Sequence, residues 1–201
     1  MGEQQIFQPL TRGDKVTVVI YRIGIVLSAV SISLAAYLML NSLKHPTDAS
    51  LSLKFNILLI SLYISVGLSV FFIHLYISKF KRTLKKLYYI SVAALVILLI
   101  VGKGNLLGVV VNKPYGPLLL IPLSLCLGFI AAKEAFCFKL TEGYLLALIM
   151  PLSLLLFSVR MISFEGAAYG LLLIAFMLLF FTFRKVFMPI HFDIGDKSAY
   201  T

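Results

Sequence analysis

Residues 79–103 read KFKRTLKKLYYISVAALVILLIVGK, and this stretch decides the fold. Five cations (Lys79, Lys81, Arg82, Lys85 and Lys86) come first, and then no charged side chain occurs from Leu87 to Gly102. A helix on the surface of a soluble domain carries one apolar stripe, whereas this run is apolar all round and needs apolar surroundings on every side. Strands of a membrane barrel alternate apolar and polar positions over about ten residues, and no such alternation is present here. The run therefore reads as a membrane-spanning helix. It falls short of the roughly 20 residues a span requires, so it tilts little or draws on snorkelling by Lys86 and Lys103 at its ends.

Working outward, the same pattern recurs, giving spans at roughly 17–40, 55–78, 87–102, 115–132, 143–159 and 166–183. Hydrophobic residues make up 61% of the 201-residue chain and charged residues 13%, with a mean hydropathy of +1.02, a balance unsuited to a water-soluble domain. The expected fold is all-α, a polytopic transmembrane helical bundle of about six helices. A polar segment over 1–16 precedes a single transmembrane domain over 17–183, and a tail follows over 184–201. The first apolar run is too long for a signal-peptide core, so it reads as a retained helix.

The formal net charge of +10 is explained by topology rather than by nucleic acid. Thirteen of the 18 Lys and Arg fall in 12–22, 79–86, 133–139 and 184–197, while Lys44, Lys54, Lys103, Lys113 and Arg160 occupy the alternate connections. By the positive-inside rule both termini are cytoplasmic. The run Lys79, Lys81, Arg82, Lys85, Lys86 is also a candidate contact for anionic lipid head groups or for a partner.

The densest group of ionisable and reactive side chains lies in 128–144, GFIAAKEAFCFKLTEGY. Helical spacing puts Lys133, Glu134 and Cys137 on neighbouring positions. With Glu142, Arg22 and His74 they form a candidate polar cluster at the inner face. Arg22 reads as an arginine that snorkels to the interface, the sharper alternative being a pair with Glu134. His74 reads as hydrogen-bonded to a neighbouring helix, with a haem or chlorophyll ligand as the alternative. Glu134 and Glu142 read as partners of Lys133, Lys139 or Arg22, and Cys126 as a packing residue. The spacings Glu-x-x-His, HExxH and CxxC are absent, so no catalytic residue, metal ligand or cofactor is assigned.

Three further segments carry expectations. The connection 102–117, GKGNLLGVVVNKPYGP, lies in the interface or forms a short re-entrant or extended piece covered by protein. Pro122 and Pro151 are kink candidates, and His45 is a solvated loop residue. In the tail, Ile190, Phe192 and Ile194 alternate with His191 and Asp193, which suits either a docked extended strand or a loose end.

DKVTVVIYRIG at 14–24, KEAFCF at 133–138 and MPIHFDIGDKS at 188–198 together resemble a family of uncharacterised integral membrane proteins found mainly in cyanobacteria, with relatives in green plastids. The resemblance implies a six-helix protein of the plasma or thylakoid membrane and supplies no catalytic residues. The expected function is a non-enzymatic accessory or assembly factor that interacts with membrane lipids, pigments or other membrane proteins in a larger complex, and not with nucleic acid. The alternative is a small-solute carrier or channel, for which Pro122, Pro151, the 102–108 segment and Arg22 as an anion contact speak. An enzyme working at the inner face is the third reading.

Overall fold

A computed structural model describes residues 10–44, 49–75 and 77–194. The loop reading of His45, Tyr76, and the tail beyond Ile194 lie outside the described residues. The elements are α1 (Arg12–Lys44), α2 (Ala49–Phe72), α3 (Ser78–Gly102), α4 (Leu106–Asn112), α5 (Tyr115–Phe138), α6 (Thr141–Ser158), α7 (Phe164–Val186) and α8 (His191–Ile194), with no strand among the described residues. Six of these helices are long and apolar enough to cross a membrane, and α4 and α8 are not. The protein is an integral membrane protein.

Local chemistry sets the ends. α1 opens on a capping box in which Asp14 Oδ2 accepts from the Thr11 amide at 2.9 Å while Thr11 Oγ1 accepts from the Asp14 amide at 3.2 Å. Ser163 Oγ accepts from the Gly166 amide at 3.1 Å to open α7. α5 stops because Lys139 turns left-handed, with φ of 55°, and the buried Leu140 leads straight into α6. A connection so short forces α5 and α6 to run antiparallel side by side.

In the assembled bundle α1 packs on α2 and α7, α5 packs on α6 and α3, and α6 lies against α7. α1 buries Tyr21, Ile25, Ala29, Ile32 and Ala36, a helical stripe, and turns Val30, Leu34 and Tyr37 outward. The burial pattern is the same in kind for the other spans, since lipid solvates the remaining apolar faces. Lipid supplies no hydrophobic drive between helices, so close approach must come from small residues. Gly24 provides it between α1 and α2: a Cβ there would collide with Ser69 Oγ and the Ser65 carbonyl. Two serine pairs, Ser28–Ser65 at 2.9 Å and Ser31–Ser61 at 3.1 Å, link the same two helices.

Several boundaries differ from the sequence reading. The basic run 79–86 is not a loop but the first turns of α3, which makes that helix 25 residues long and continues it past the apolar run. Lysine and arginine are good helix formers, and apolar bookkeeping alone misses them. α5 likewise runs on through Lys133, Glu134 and Cys137 instead of ending at 132. The 102–117 connection holds the seven-residue helix α4, with Leu106, Val109 and Val110 buried, so its backbone bonds are internal rather than extended. Pro122 and Pro151 both sit inside continuous helices.

Candidate functional site

At the end of the bundle that holds both described chain ends, side chains from α1, α5, α7 and α8 converge on two carboxylates. Glu134 is fully buried, at 0% exposure. Its Oε1 accepts from Tyr21 Oη at 2.6 Å and from Lys133 Nζ at 2.8 Å, while its Oε2 pairs with Lys185 Nζ. Lys185, also at 0% exposure, pairs through the same ammonium with Asp193 Oδ1. Asp193 Oδ2 then accepts from Arg22 Nε at 2.8 Å and pairs with Arg22 Nη2. All four carboxylate oxygens are thereby engaged.

Arg22 does more than hold Asp193. Its Nη1 donates to the carbonyls of Val186 at 3.0 Å and Met188 at 2.6 Å, and its Nη2 donates to that of Pro189 at 3.2 Å. The end of a helix leaves carbonyls without intrahelical partners, and a cation there also meets the negative pole of the helix. One guanidinium thus closes the end of α7 and fastens α8 in place. Lys185 lies in addition over the Phe138 ring, 4.0 Å from its centroid. With three cations against two carboxylates, desolvation of each charge is offset by direct pairing.

The arrangement corrects the reading of Arg22. It does not snorkel, being only 9% exposed, and its acid is Asp193 rather than Glu134. Lys133 and Glu134 do pair with one another, as i and i+1 neighbours. Cys137 is exposed and is not a member of these ion pairs. Glu142 forms a separate pair on α6, its two oxygens each 2.8 Å from Nη1 of Arg184 on α7. His74 lies in the α2–α3 connection with Nε2 3.1 Å from Thr17 Oγ1 of α1. Burial pushes its pKa below the ordinary histidine value, and Lys133 and Lys81 add to that, against smaller opposing effects of Asp193 and Asp14. The basic run stands apart from the cluster: Lys79, Arg82 and Lys86 are exposed, Lys81 and Lys85 half-buried, and Lys85 Nζ lies 5.5 Å from the Phe71 ring.

Tyr21, Arg184, Lys185 and Asp193 were not singled out from sequence. A signal for Lys185 existed, since Leu178, Phe181, Thr182 and Lys185 follow helical spacing and all are buried. Asp193 had none. Its neighbours alternate like a strand, yet the Asp193 amide donates to the Ile190 carbonyl at 3.1 Å and the segment closes into a helical turn.

No group of three or more His, Cys, Asp or Glu positioned to hold a metal ion occurs among the described residues. A second feature lies elsewhere in the bundle: a partly open cavity of about 160 Å³ lined by α1, α2, α5, α6 and α7 together with Val110 of α4. Its walls include Ile32, Met39, Phe55, Leu123, Met150 and Ile174, and among the described residues no ionisable side chain lines it.

The family described as "Uncharacterized integral membrane protein (DUF2301)" matches residues 68–201. No curated protein and no solved structure matches the chain.

Proposed function

The chain belongs to the DUF2301 family of integral membrane proteins, and on that premise we propose that it is a non-enzymatic accessory or assembly factor that binds other membrane components. The observation that carries this reading is the separation of charge from open space. The buried carboxylates of Glu134, Glu142 and Asp193 are each paired with Lys or Arg. The cavity, by contrast, is walled by apolar side chains and a few serines.

A catalytic acid or base has to face its substrate, and a carrier for polar solutes needs polar groups along its path. In this arrangement charge holds helix ends together and the interior space is apolar. The guanidinium of Arg22, the anion contact of the carrier reading, is taken up by Asp193 and three carbonyls, so that alternative rests on Pro122, Pro151 and α4. Under the positive-inside rule, the basic end with Lys79, Lys81, Arg82, Lys85 and Lys86 faces the cytoplasm and meets anionic lipid or a partner there.

The test is purification from the native membrane in a gentle detergent, followed by mass spectrometry of the proteins, lipids and pigments that travel with the chain. Stable co-purification of a larger assembly, weakened when the five cations of 79–86 are neutralised, is the expected result. A single species without companions that moves a polar solute across liposomes would replace this reading with the carrier.

A further inference from the structure

We propose that the apolar cavity is a binding chamber for one hydrocarbon tail of a bilayer lipid with an anionic head group, and that Arg160 receives that head group at the rim. This rests on the accessory reading above and gives it a ligand class.

The tail follows from the shape and dryness of the chamber. Wall residues run from Ser31 to Met39 on α1 and from Phe55 to Val66 on α2. At 1.5 Å per residue these stretches measure roughly 12 and 16 Å. That is about half of the ~30 Å hydrocarbon core, the depth one lipid chain occupies in its own leaflet. Water is a poor occupant because it needs several polar partners, and the three serines in the wall already have theirs. Ser31 Oγ is 3.1 Å from Ser61 Oγ, Ser124 Oγ donates to the Ile121 carbonyl at 2.8 Å, and Ser153 Oγ donates to the Met150 carbonyl at 2.9 Å. In a membrane the abundant apolar molecule of this length is the lipid chain itself.

The head group follows from Arg160, in the turn between α6 and α7. Phe157 and Val110 both border the chamber. The Arg160 guanidinium lies 6.0 Å from the Phe157 ring centroid, and its Nη1 donates to the Val111 carbonyl at 2.6 Å. These two contacts hold an exposed cation beside α4 and next to Phe157 and Val110 of the chamber wall. The left-handed backbone of Arg160, φ 61°, closes α6 in the same way that Lys139 closes α5, the Met161 amide donating back to the Leu156 carbonyl at 3.0 Å. Among the described residues that end of the bundle exposes Lys54, Lys103, Lys113 and Arg160 against Glu165, which favours an anion over a zwitterion.

The test uses the full chain reconstituted in vesicles containing phosphatidylglycerol with a diazirine in one acyl chain, compared with the phosphatidylcholine counterpart. Cross-links mapped by mass spectrometry are expected on chamber residues such as Met39, Met150 and Leu171, with phosphatidylglycerol favoured. Arg160→Gln is expected to lower that labelling about tenfold while leaving phosphatidylcholine labelling unchanged. The chamber-filling pair Ala35→Leu and Ser124→Leu is expected to abolish it. Because the wild-type map needs no variant, a filled chain that fails to fold leaves the proposal fully exposed. Cross-links confined to lipid-facing residues such as Leu148 and Leu172 would overturn the chamber, and equal labelling by both lipids would overturn the role of Arg160. Neither result touches co-purification with partner proteins, so the accessory reading stands or falls separately.

Discussion

The ammonium of Lys185 on α7 bridges Glu134 of α5 and Asp193 of α8, with all three side chains withdrawn from solvent. Removing the cation leaves two buried carboxylates facing each other across the space it filled. Breaking a buried pair by deleting one partner typically costs about 3–5 kcal/mol, since the remaining charge loses its compensation. Lys185→Met is therefore expected to lower the thermal unfolding midpoint in detergent sharply. Combining it with Asp193→Asn should recover part of the loss, and a double-mutant cycle with purely additive effects would mean that the bridge contributes nothing.

Arg22 is expected to be irreplaceable by lysine. Its planar guanidinium meets Asp193 and three carbonyls at once, a geometry that a single ammonium cannot reproduce. In Arg22→Lys the segment 187–194 should become markedly more sensitive to limited proteolysis, while the helix content read by circular dichroism stays near that of the parent protein. Asp193→Asn should give the same cleavage pattern. If Glu134→Gln alone reproduced it and Asp193→Asn did not, the assignment of the arginine's partner would be wrong.

His74 gives the chain a pH dependence of known sign. Its folded pKa is lowered from about 6.5, mainly by burial and next by Lys133 and Lys81, so folding favours the neutral imidazole. Its contribution to stability is complete above the unfolded pKa and is lost as pH falls through the lowered folded value. Thermal midpoints measured from about pH 7.5 down to about pH 5 should decline less steeply in His74→Gln than in the parent protein. Parallel curves would show that the Thr17–His74 contact does not depend on the neutral ring.

The two cysteines offer a direct test of orientation. Cys137 is exposed near the basic end and Cys126 is buried. A membrane-impermeant maleimide should label Cys137 only when it has access to the cytoplasmic face, as in inverted vesicles, and should reach Cys126 only after denaturation. Labelling of Cys137 in right-side-out vesicles would reverse the orientation inferred from the distribution of positive charge.

The helical character and the six spans were legible from sequence because they rest on local quantities. A run such as 87–102 has to satisfy its backbone within itself wherever it meets lipid, so its unbroken, non-alternating apolar character identifies it as a helix. The ends of the spans were less legible: Lys79 to Lys86 and Lys133 to Cys137 are polar yet helical, and hydropathy says nothing about where a helix continues past the lipid boundary. Part of the polar cluster could likewise be named in advance, since Lys133 and Glu134 are neighbours in the chain. Which acid meets Arg22 could not, because the answer lies 171 residues away and depends on how α1 and α7 are rotated about their axes. The chamber belongs to the same class, since no single helix encodes a gap among five. Sequence by itself determined that this chain crosses the membrane on apolar helices. Tertiary structure alone decided that Lys185 is buried between two acids and that the interior space is apolar, because both depend on which helix faces are brought together.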